Sequence, residues 1–230
     1  MLTLSPLEAE ALRLSLLVSV AAVTCSLPFG ILTAWLLARK QFPGKVVLDG
    51  VLHLPLVLPP VAVGYLLLVT MGRHGLIGGW LHDVFGITFA FNWKGAALAS
   101  AVISFPLLVR AIRLSIEAID QGVEAAAATL GASPWSVFLT VTLPLSLPGI
   151  AAGIILAFAR SLSEFGATIT FVASIPGETR TLPVALYGVT QSAGGDEEAL
   201  RLCILSVALA LLTLVAADWM ARRLEKRMKG

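Results

Sequence analysis

The chain has 230 residues, of which 57% are apolar and 13% are charged. A soluble domain has about 45–50% apolar and about 25% charged residues, so this composition indicates a protein that crosses a membrane several times. The net charge of +2, carried by scattered side chains, argues against nucleic-acid binding. Two cysteines, Cys25 and Cys203, and three histidines form no metal-ligand or redox pattern. We expect the cysteines to be packing residues.

Five runs with few or no charged residues approach the roughly 20 residues that a helix needs to cross a bilayer. They cover 14–38, 46–71, 95–116, 148–173 and 202–221. Before the first run, Ser5, Pro6 and Glu8 form a capping-box pattern, which predicts that the first helix begins near Pro6. The segment 181–191 is too short to span and predicts an interfacial or re-entrant piece. The sequence therefore predicts an all-α integral membrane protein with five transmembrane helices.

The orientation follows from lysine and arginine, which concentrate on the cytosolic side of short loops. With the N-terminus outside, ten of the 16 basic residues lie inside, five lie outside, and Arg160 lies within the fourth span. This bias predicts a periplasmic N-terminus and a cytosolic C-terminus with a basic tail at 222–230. It also places segment 117–147, between the third and fourth spans, in the cytosol.

Segment 117–147 has the local chemistry of two short helices joined by a turn. Gly131 suits the end of one helix, and Ser133 followed by Pro134 suits the start of the next. Pro144 then interrupts the second helix before the fourth span begins. We therefore predict a helix, a turn, a second helix and an elbow, which together form a compact docking element.

The sequence carries no enzyme signature. A phosphate-binding P-loop needs a glycine-rich turn that ends in Gly-Lys-Ser/Thr, whereas Gly44 and Lys45 are followed by Val46. An ordered catalytic triad, an HExxH motif and a dinucleotide-binding glycine pattern are also lacking. We therefore predict that the chain alone is not an enzyme, has no catalytic or metal site, and binds no cofactor.

Segment 117–147 resembles the EAA loop of bacterial ABC importers, the part of the membrane subunit that the ATP-hydrolysing partner grips. The family pattern is Glu-Ala-Ala, three residues, Gly, and further on an aliphatic residue, Leu and Pro. By this resemblance the coupling residues are Glu124, Ala126, Ala127, Gly131, Ala132, Leu143 and Pro144. The glutamate departs from the pattern, because Glu124 lies one residue before the matching position, Ala125. An ordinary alanine-rich helical hairpin is the alternative interpretation.

Two further segments resemble the molybdate ABC transporter permease, and the resemblance covers nearly the whole chain. The first segment, 53–64, places three prolines in a membrane span. The second consists of 160–168 and 175–183; it is shared in part with sulfate permeases and has Ser163 where the family usually has glycine. Prolines in a membrane helix bend the span and free backbone carbonyls, which a water-lined cavity or neighbouring helices must satisfy. A purely structural kink is the alternative.

The resemblance implies a translocation pathway or gate formed by Pro55, Pro59, Pro60, Arg160, Glu164, Phe165, Gly166, Thr168 and Thr181. Arg160 and Glu164 are four residues apart and share a helix face. Ionisable side chains inside a span are costly enough to be functional candidates, and a structural ion pair is an equally open alternative. We do not assign Arg160 as an oxyanion ligand, because a deep positive site would trap a dianion.

The resemblance implies the permease subunit of a molybdate ABC importer in the bacterial inner membrane, with a type I importer fold over residues 10–221. It also implies two copies that form the pore, ATP-binding subunits on the cytosolic side, and a periplasmic molybdate-binding protein. Five helices are too few to enclose a pathway, which independently favours a dimer. A sulfate, thiosulfate or tungstate permease of the same architecture is one alternative. A transporter that works without ATP is another, but it predicts inverted repeats, and the sequence shows no internal repeat.

Overall fold

A computed structural model describes the backbone of residues 4–229 and the side chains of residues 4–216 and 219. All regular structure among these residues is helical. The helices are α1 (Pro6–Arg39), α2 (Lys45–Val57), α3 (Pro60–Met71), α4 (Leu76–Phe85), α5 (Trp93–Glu117), α6 (Gln121–Thr129), α7 (Pro134–Val137), a π-helical turn (Phe138–Thr142), α8 (Leu143–Leu145), α9 (Leu147–Leu162), α10 (Gly166–Val172), α11 (Leu182–Thr190) and α12 (Asp196–Lys229). The basic side chains of the predicted tail, 222–230, lie outside the described residues.

Helix α1 begins where its capping box predicts. The backbone N–H of Glu8 donates to Ser5 Oγ (3.2 Å), the N–H of Ser5 donates to Glu8 Oε2 (2.7 Å), and Pro6 lies in the first turn. The 34 residues of α1 form a rod of about 51 Å, which exceeds the roughly 30 Å hydrocarbon core of a bilayer. α1 therefore extends beyond the hydrocarbon core.

Helix α5 is the axis of the bundle, and α1 packs along it in the same direction. Near Trp93, the start of α5, one core cluster joins α5 to α1, α3 and α10: Val18, Val63, Leu67, Ala96, Ala97, Ala99, Ile103, Ala167, Phe171 and Val172. Near Glu117, the end of α5, a second cluster joins it to α1 and α9: Val23, Ala34, Leu37, Leu108, Val109, Ile112, Ile116, Ile150 and Ala157. We call these two ends of the bundle the Trp93 end and the Glu117 end.

The second predicted span, 46–71, is not a single helix. Pro59 and Pro60 lack the backbone N–H groups that would continue α2, and the axes of α2 and α3 differ by 115°. α2 packs at the Glu117 end through Leu48, whereas α3 packs at the Trp93 end through Val63. The bent pair therefore still runs from one end of the bundle to the other.

The fourth predicted span, 148–173, is also divided, and this corrects the expectation of a continuous helix. α9 ends at Leu162 and α10 begins at Gly166, while a 67° bend at Ser146 separates α9 from the helical segment before it. Glu164 lies in the gap and accepts a hydrogen bond from the first turn of α10. The physical reason for the division is thus a local cap that ends one helix and starts the next.

The predicted short segment, 181–191, forms helix α11 at the Trp93 end. Leu182 N–H, in its first turn, donates to Ser15 Oγ of α1 (2.7 Å). The buried side chains of α11 pack against α1 and α12. Helix α4 is an addition that the sequence analysis did not predict; it lies at the Trp93 end and exposes Leu76 and Trp80.

Three described helices are long and apolar enough to cross a membrane singly: α1, α5 and the Asp196–Ala216 part of α12. Two bent pairs pass the same test, α2 with α3 and Pro134–Leu145 with α9, so the described residues allow up to five spans. Consecutive spans alternate in direction between the Trp93 end and the Glu117 end. The architecture is therefore an all-α membrane bundle in which two of the crossings are broken.

Candidate functional site

The 117–147 loop forms the predicted helix–turn–helix at the Glu117 end of the bundle. Gly131 adopts a left-handed backbone conformation with φ of +87°, as its position after α6 predicts. Ala132 N–H donates to Ala127 O (3.3 Å) and closes the end of α6. Ser133 Oγ accepts from Ser136 N–H (3.2 Å) and caps α7, as predicted.

The tip of this loop exposes apolar side chains. Leu130, next to Gly131, is 89% exposed, and Trp135 in α7 is 54% exposed. Ala126 is exposed as well, while Ala127 and Ala132 are half-buried. Because exposed apolar patches commonly mark interaction sites, the tip has the character of a docking surface.

The elbow after α7 contains a π-helical turn. Leu143 N–H donates to Phe138 O, five residues back, instead of to the residue four back. Pro144 follows and has no N–H to donate, and the chain breaks at Ser146 before α9. The wide turn and the proline together redirect the chain from the loop into the fourth span.

Glu124 points away from the loop tip and towards the bundle. Its carboxylate forms an ion pair with Arg39 at the end of α1, with Nε at 2.9 Å from Oε2 and at 3.2 Å from Oε1. Thr142 Oγ1 donates to the same carboxylate (2.6 Å), and Arg39 Nη2 donates to Ile119 O (3.2 Å). The displaced glutamate of the EAA pattern is therefore an internal contact between the loop and α1.

Aromatic side chains make a second contact between the loop and α1. The ring of Phe138, in the π-helical turn, lies 5.3 Å from Trp35 of α1 and 5.2 Å from Trp135 of α7. Lys40 Nζ also lies over the Trp35 ring, 5.5 Å from its centroid. The last turn of α1 thus touches both helical arms of the loop.

The predicted pair of Arg160 and Glu164 is present at the break between α9 and α10. Arg160 Nη2 lies 2.8 Å from Glu164 Oε2, and the Glu164 side chain is only 1% exposed. Glu164 Oε1 also accepts from Ala167 N–H (2.8 Å), so the carboxylate caps α10. Glu164 thus forms one ion pair and one hydrogen bond, both of which stabilise the local structure. A role for Glu164 in a gate stays a prediction.

The break between α9 and α10 lies against the break between α2 and α3. A Cβ on Gly166 would come within 2.8 Å of Pro60 Cβ, and a Cβ on Gly64 within 2.6 Å of Ala167 O. Pro59 lies one residue before this crossing. The structure therefore brings together the proline break of the second span and the Gly166 start of α10.

Of the other predicted pathway residues, Phe165 and Thr168 adjoin the crossing in the chain, next to Gly166 and Ala167. Pro55 lines a separate cavity of about 440 Å³ between α1, α2 and α5. Phe165 packs against Tyr187 of α11, with ring centroids 4.9 Å apart. Thr168 is buried in α10, and Thr181 is buried at the start of α11 with no hydrogen-bond partner for its hydroxyl among the described residues.

Sequence reasoning missed the α1 side of the loop contact. The sequence analysis assigns Arg39 no role beyond its place among the ten basic residues of the inner side, and it does not single out Trp35, Phe138 or Thr142. Arg39 and Glu124 lie 85 positions apart, and no spacing rule joins residues at that separation. The available signal was that both are charged residues predicted for the same side of the membrane.

The apolar helical bundle, its broken spans and its helical loop have the architecture expected from the resemblance to ABC importer permeases. The family described as "Binding-protein-dependent transport system inner membrane component" matches residues 26–230. The chain belongs to this family, and it is accordingly a multi-pass inner-membrane permease subunit and not an enzyme.

Individual relatives agree with this membership. The chain is 65% identical to "Molybdenum transport system permease protein ModB" of Escherichia coli (strain K12) over 94% of both chains. It is 57% identical to the protein of the same name in Haemophilus influenzae, over 96% of this chain and 97% of the relative. The resemblance to molybdate permeases predicted from the sequence is confirmed.

Solved structures share the fold. A bacterial ABC transporter that imports the acidic polysaccharide alginate gives a TM-score of 0.75 at 20% identity, over 95% of this chain and 80% of that chain. An amino acid ABC transporter gives a TM-score of 0.65 at 20% identity, over 95% and 94%. The predicted fold class, an all-α importer permease, is confirmed.

Proposed function

We propose that this chain is the membrane-spanning subunit of an ATP-driven importer of molybdate. The observation that carries the proposal is the 65% identity to the molybdenum transport permease of Escherichia coli over nearly the full length of both chains. The cargo passes through the pore and is not held as a resident ligand.

The proposed assembly contains two copies of this chain, ATP-binding subunits at the Glu117 end and a soluble oxyanion-binding protein at the Trp93 end. ATP belongs to the partner, and this chain binds no cofactor. The exposed Leu130 and Trp135 at the loop tip support docking of the ATPase there. In this scheme Gly131 shapes the tip, and the coupling residues Ala126, Ala127, Ala132, Leu143 and Pro144 form its two arms.

The proposed orientation places the Glu117 end in the cytosol. The charge bias supports it, since ten basic residues fall on that side and five on the other. The N-terminus is then periplasmic and the C-terminus cytosolic. The loop that the ATPase grips and the basic residues of the positive-inside rule lie on the same side.

The crossing of the two broken spans is the proposed gate. Pro60, Gly64 and Gly166 bring two interrupted spans into close backbone contact. Movement of the loop repositions α9, which leads directly into Glu164 and α10. An outward-facing and an inward-facing state then differ in how these breaks meet, a two-state element that nucleotide and the loaded binding protein bias from opposite ends.

A sulfate permease is the second candidate. The chain is 41% identical to "Sulfate transport system permease protein CysW" of Synechococcus elongatus over 76% of this chain and 61% of the relative. Sulfate, tungstate and molybdate are tetrahedral dianions, so one pathway can conduct all three. The lower identity makes molybdate the first choice.

The test is uptake into vesicles that contain this chain with its ATPase, supplied with the binding protein outside and ATP inside. We expect ATP-dependent accumulation of radioactive molybdate, and none from vesicles with this chain alone. Excess unlabelled sulfate should compete weakly if molybdate is the cargo. Accumulation without ATP would contradict the importer mechanism, and dominant competition by sulfate would favour the second candidate.

A further inference from the structure

The last turn of α1 is fastened to the loop by Arg39, through contacts to which the proposed transport scheme assigns no role. We call the contacts of Arg39 with Glu124, together with that of Thr142 with Glu124, the anchor. Arg39 presents a planar fork of donors, which suits a carboxylate better than a lysine would. Its Nε contacts both oxygens of Glu124 at 2.9 and 3.2 Å, and its Nη2 donates to Ile119 O at 3.2 Å. The two side chains are only 10% and 16% exposed. The pair is therefore fixed in one geometry and shielded from solvent.

The anchor holds both arms of the loop. Glu124 belongs to α6, and Thr142, which donates to Glu124 at 2.6 Å, ends the π-helical turn of the second arm. Trp35 lies four residues before Arg39 on the same face of α1 and contacts Phe138 of the second arm at 5.3 Å. The loop cannot shift as a body without displacing the end of α1 or breaking these contacts.

The other end of α1 is fastened as well. Glu8 forms an ion pair with Arg201 at the start of α12 (2.9 Å), and Glu10 accepts from Gly177 N–H in the loop between α10 and α11. Ser15 Oγ accepts from Leu182 N–H of α11 (2.7 Å). Among the described spans, α1, α5 and α12 are single helices, while α2–α3 and α9–α10 are interrupted. Of these contacts, α1 makes those to the 117–147 loop at one end and those to the 173–181 loop and α11 at the other.

We infer that Arg39 is a positioning residue for energy coupling: through Glu124 and Thr142 it fastens the ATPase-docking loop to α1, and α1 carries the loop's displacement to the 173–181 loop and α11 at the opposite end. The inference rests on the proposed function, because it assigns a transmission route to the loop that the ATPase moves. α1 is one continuous helix from Pro6 to Arg39, with Pro28 inside it, and its side-chain contacts at both ends join the loop to the opposite end of the bundle.

The test compares Arg39→Met with the unsubstituted chain in the complete complex. Methionine keeps much of the apolar stem and removes every donor of the fork. We expect the ATPase to co-purify at the unsubstituted level, since Leu130 and Trp135 are untouched. The number of molybdate ions taken up per ATP hydrolysed should fall about tenfold. An unchanged ratio would overturn the inference.

The double variant Arg39→Met with Glu124→Met separates coupling from stability. The single variant leaves Glu124 as a shielded, unpaired carboxylate, which lowers the amount of inserted protein. The double variant removes that charge, so the protein level should recover while the uptake ratio stays low. If the ratio recovers together with the protein level, Arg39 has only a structural part and the inference is wrong.

Arg113→Met is the matched control, because Arg113 also forms ion pairs at the Glu117 end, with Asp49 at 3.0 Å and with Glu117, the last residue of α5, at 2.8 Å. Among the described residues it forms no ion pair with α6, α7 or the π-helical turn. We expect its uptake ratio to stay within twofold of the unsubstituted value. An equal loss in Arg113→Met would refute a specific part for Arg39.

Amide hydrogen exchange on the purified chain tests the anchor without transport. We expect exchange across 121–131 to speed up about tenfold in Arg39→Met and to stay unchanged in Arg113→Met. Unchanged exchange in Arg39→Met would disprove the anchor even in a preparation that transports nothing. Failure of the unsubstituted complex to take up molybdate with ATP, by contrast, would count against the proposed function.

Discussion

Gly131 owes its identity to backbone conformation alone. Its φ is +87°, and no described atom lies within 4 Å of the position that a Cβ would take. A larger side chain there meets no neighbour, yet an L-residue in the left-handed region carries a penalty of about 1–2 kcal/mol. Gly44, between α1 and α2, has the same φ and the same open surroundings. Comparing substitutions at Gly131 and Gly44 therefore separates the effect of backbone strain from the effect of its position in the loop.

Gly131→Val should insert into the membrane but bind the ATPase about tenfold more weakly, because relief of the strain reshapes the loop tip. The measurement is co-purification of the ATPase with the tagged chain at several salt concentrations, together with molybdate-stimulated ATP hydrolysis. Gly44→Val introduces equal strain outside the loop and should retain binding. Full binding and hydrolysis in Gly131→Val would rule out a coupling part for this turn.

Glu164 is a buried carboxylate in the break between α9 and α10, where it pairs with Arg160. Removing Arg160 leaves the carboxylate at membrane depth without its partner, a loss of about 3–5 kcal/mol for breaking a buried pair. Removing Glu164 also deletes the cap on Ala167 N–H, which the sequence did not reveal. Removing Glu164 therefore deletes two contacts, whereas removing Arg160 deletes only the ion pair.

Arg160→Ala and Glu164→Ala should each lower molybdate uptake per inserted chain more than the double variant does, and Glu164→Ala should be the more damaging single change. A double-mutant cycle on uptake, normalised to protein in the membrane, measures the coupling between the two residues. Strictly additive effects would mean that the pair seen at 2.8 Å has no energetic weight. Glu164 would then be kept as the gate residue by itself.

At the scale of helices, hydropathy and capping chemistry predicted the unbroken elements well. α1 starts at its capping box, and α5 and α12 coincide with long apolar runs. The prolines of the second span predicted a bend, but its 115° angle arises because α2 and α3 pack on different clusters. Local sequence contains no information about such packing. The same holds for the anchor of Glu124 on Arg39.

The break between α9 and α10 was not predicted for a related reason. Residues 148–173 are apolar enough to read as one helix, and only the folded chain shows that Glu164 turns back to cap Ala167. The close approach of Gly64 to Ala167 likewise depends on the two breaks facing each other. Glycine spacing suggests close packing but does not identify the partner helix.

Gly64→Ala should reduce uptake at least fivefold, because the added Cβ lies 2.6 Å from Ala167 O and must push α3 away from α10. Gly50→Ala in α2 is the control, since no described atom lies within 4 Å of its added Cβ. Both variants are assayed for uptake at equal membrane level. Equal uptake by the two variants would exclude the crossing of α3 and α10 from the gate.

At the scale of the whole molecule, the described residues allow up to five crossings, and an odd number of alternating crossings would place the two ends of the chain on opposite sides of the membrane. The structure gives the alternation through its two core clusters, and the charge bias gives the proposed direction. The end of α11 lies with the N-terminus of α1, and the 117–147 loop lies at the other end. What the orientation adds is therefore which of the two ends of the bundle faces the cytosol.

A reporter that functions only in the cytosol should be active when fused after Gly230 and inactive when fused after Gln191, which follows α11. An alkaline phosphatase fusion, active only in the periplasm, should give the opposite pattern at the same two positions. Cytosolic activity at Gln191 would reverse the orientation and place the 117–147 loop outside, beyond the reach of an ATPase.

The fastening of α1 at both ends has a consequence for the surrounding lipid. The apolar run 14–38 would span about 37 Å along a helix axis, against roughly 30 Å of hydrocarbon. A free helix relieves such a mismatch by tilting. α1 is held by Glu8 to Arg201 and by Arg39 to Glu124, so its tilt is set by protein contacts. The angle at which these contacts hold α1 then decides whether the surrounding bilayer has to thicken, and the thickness of the host membrane becomes a variable that acts on the transporter through the same two ion pairs.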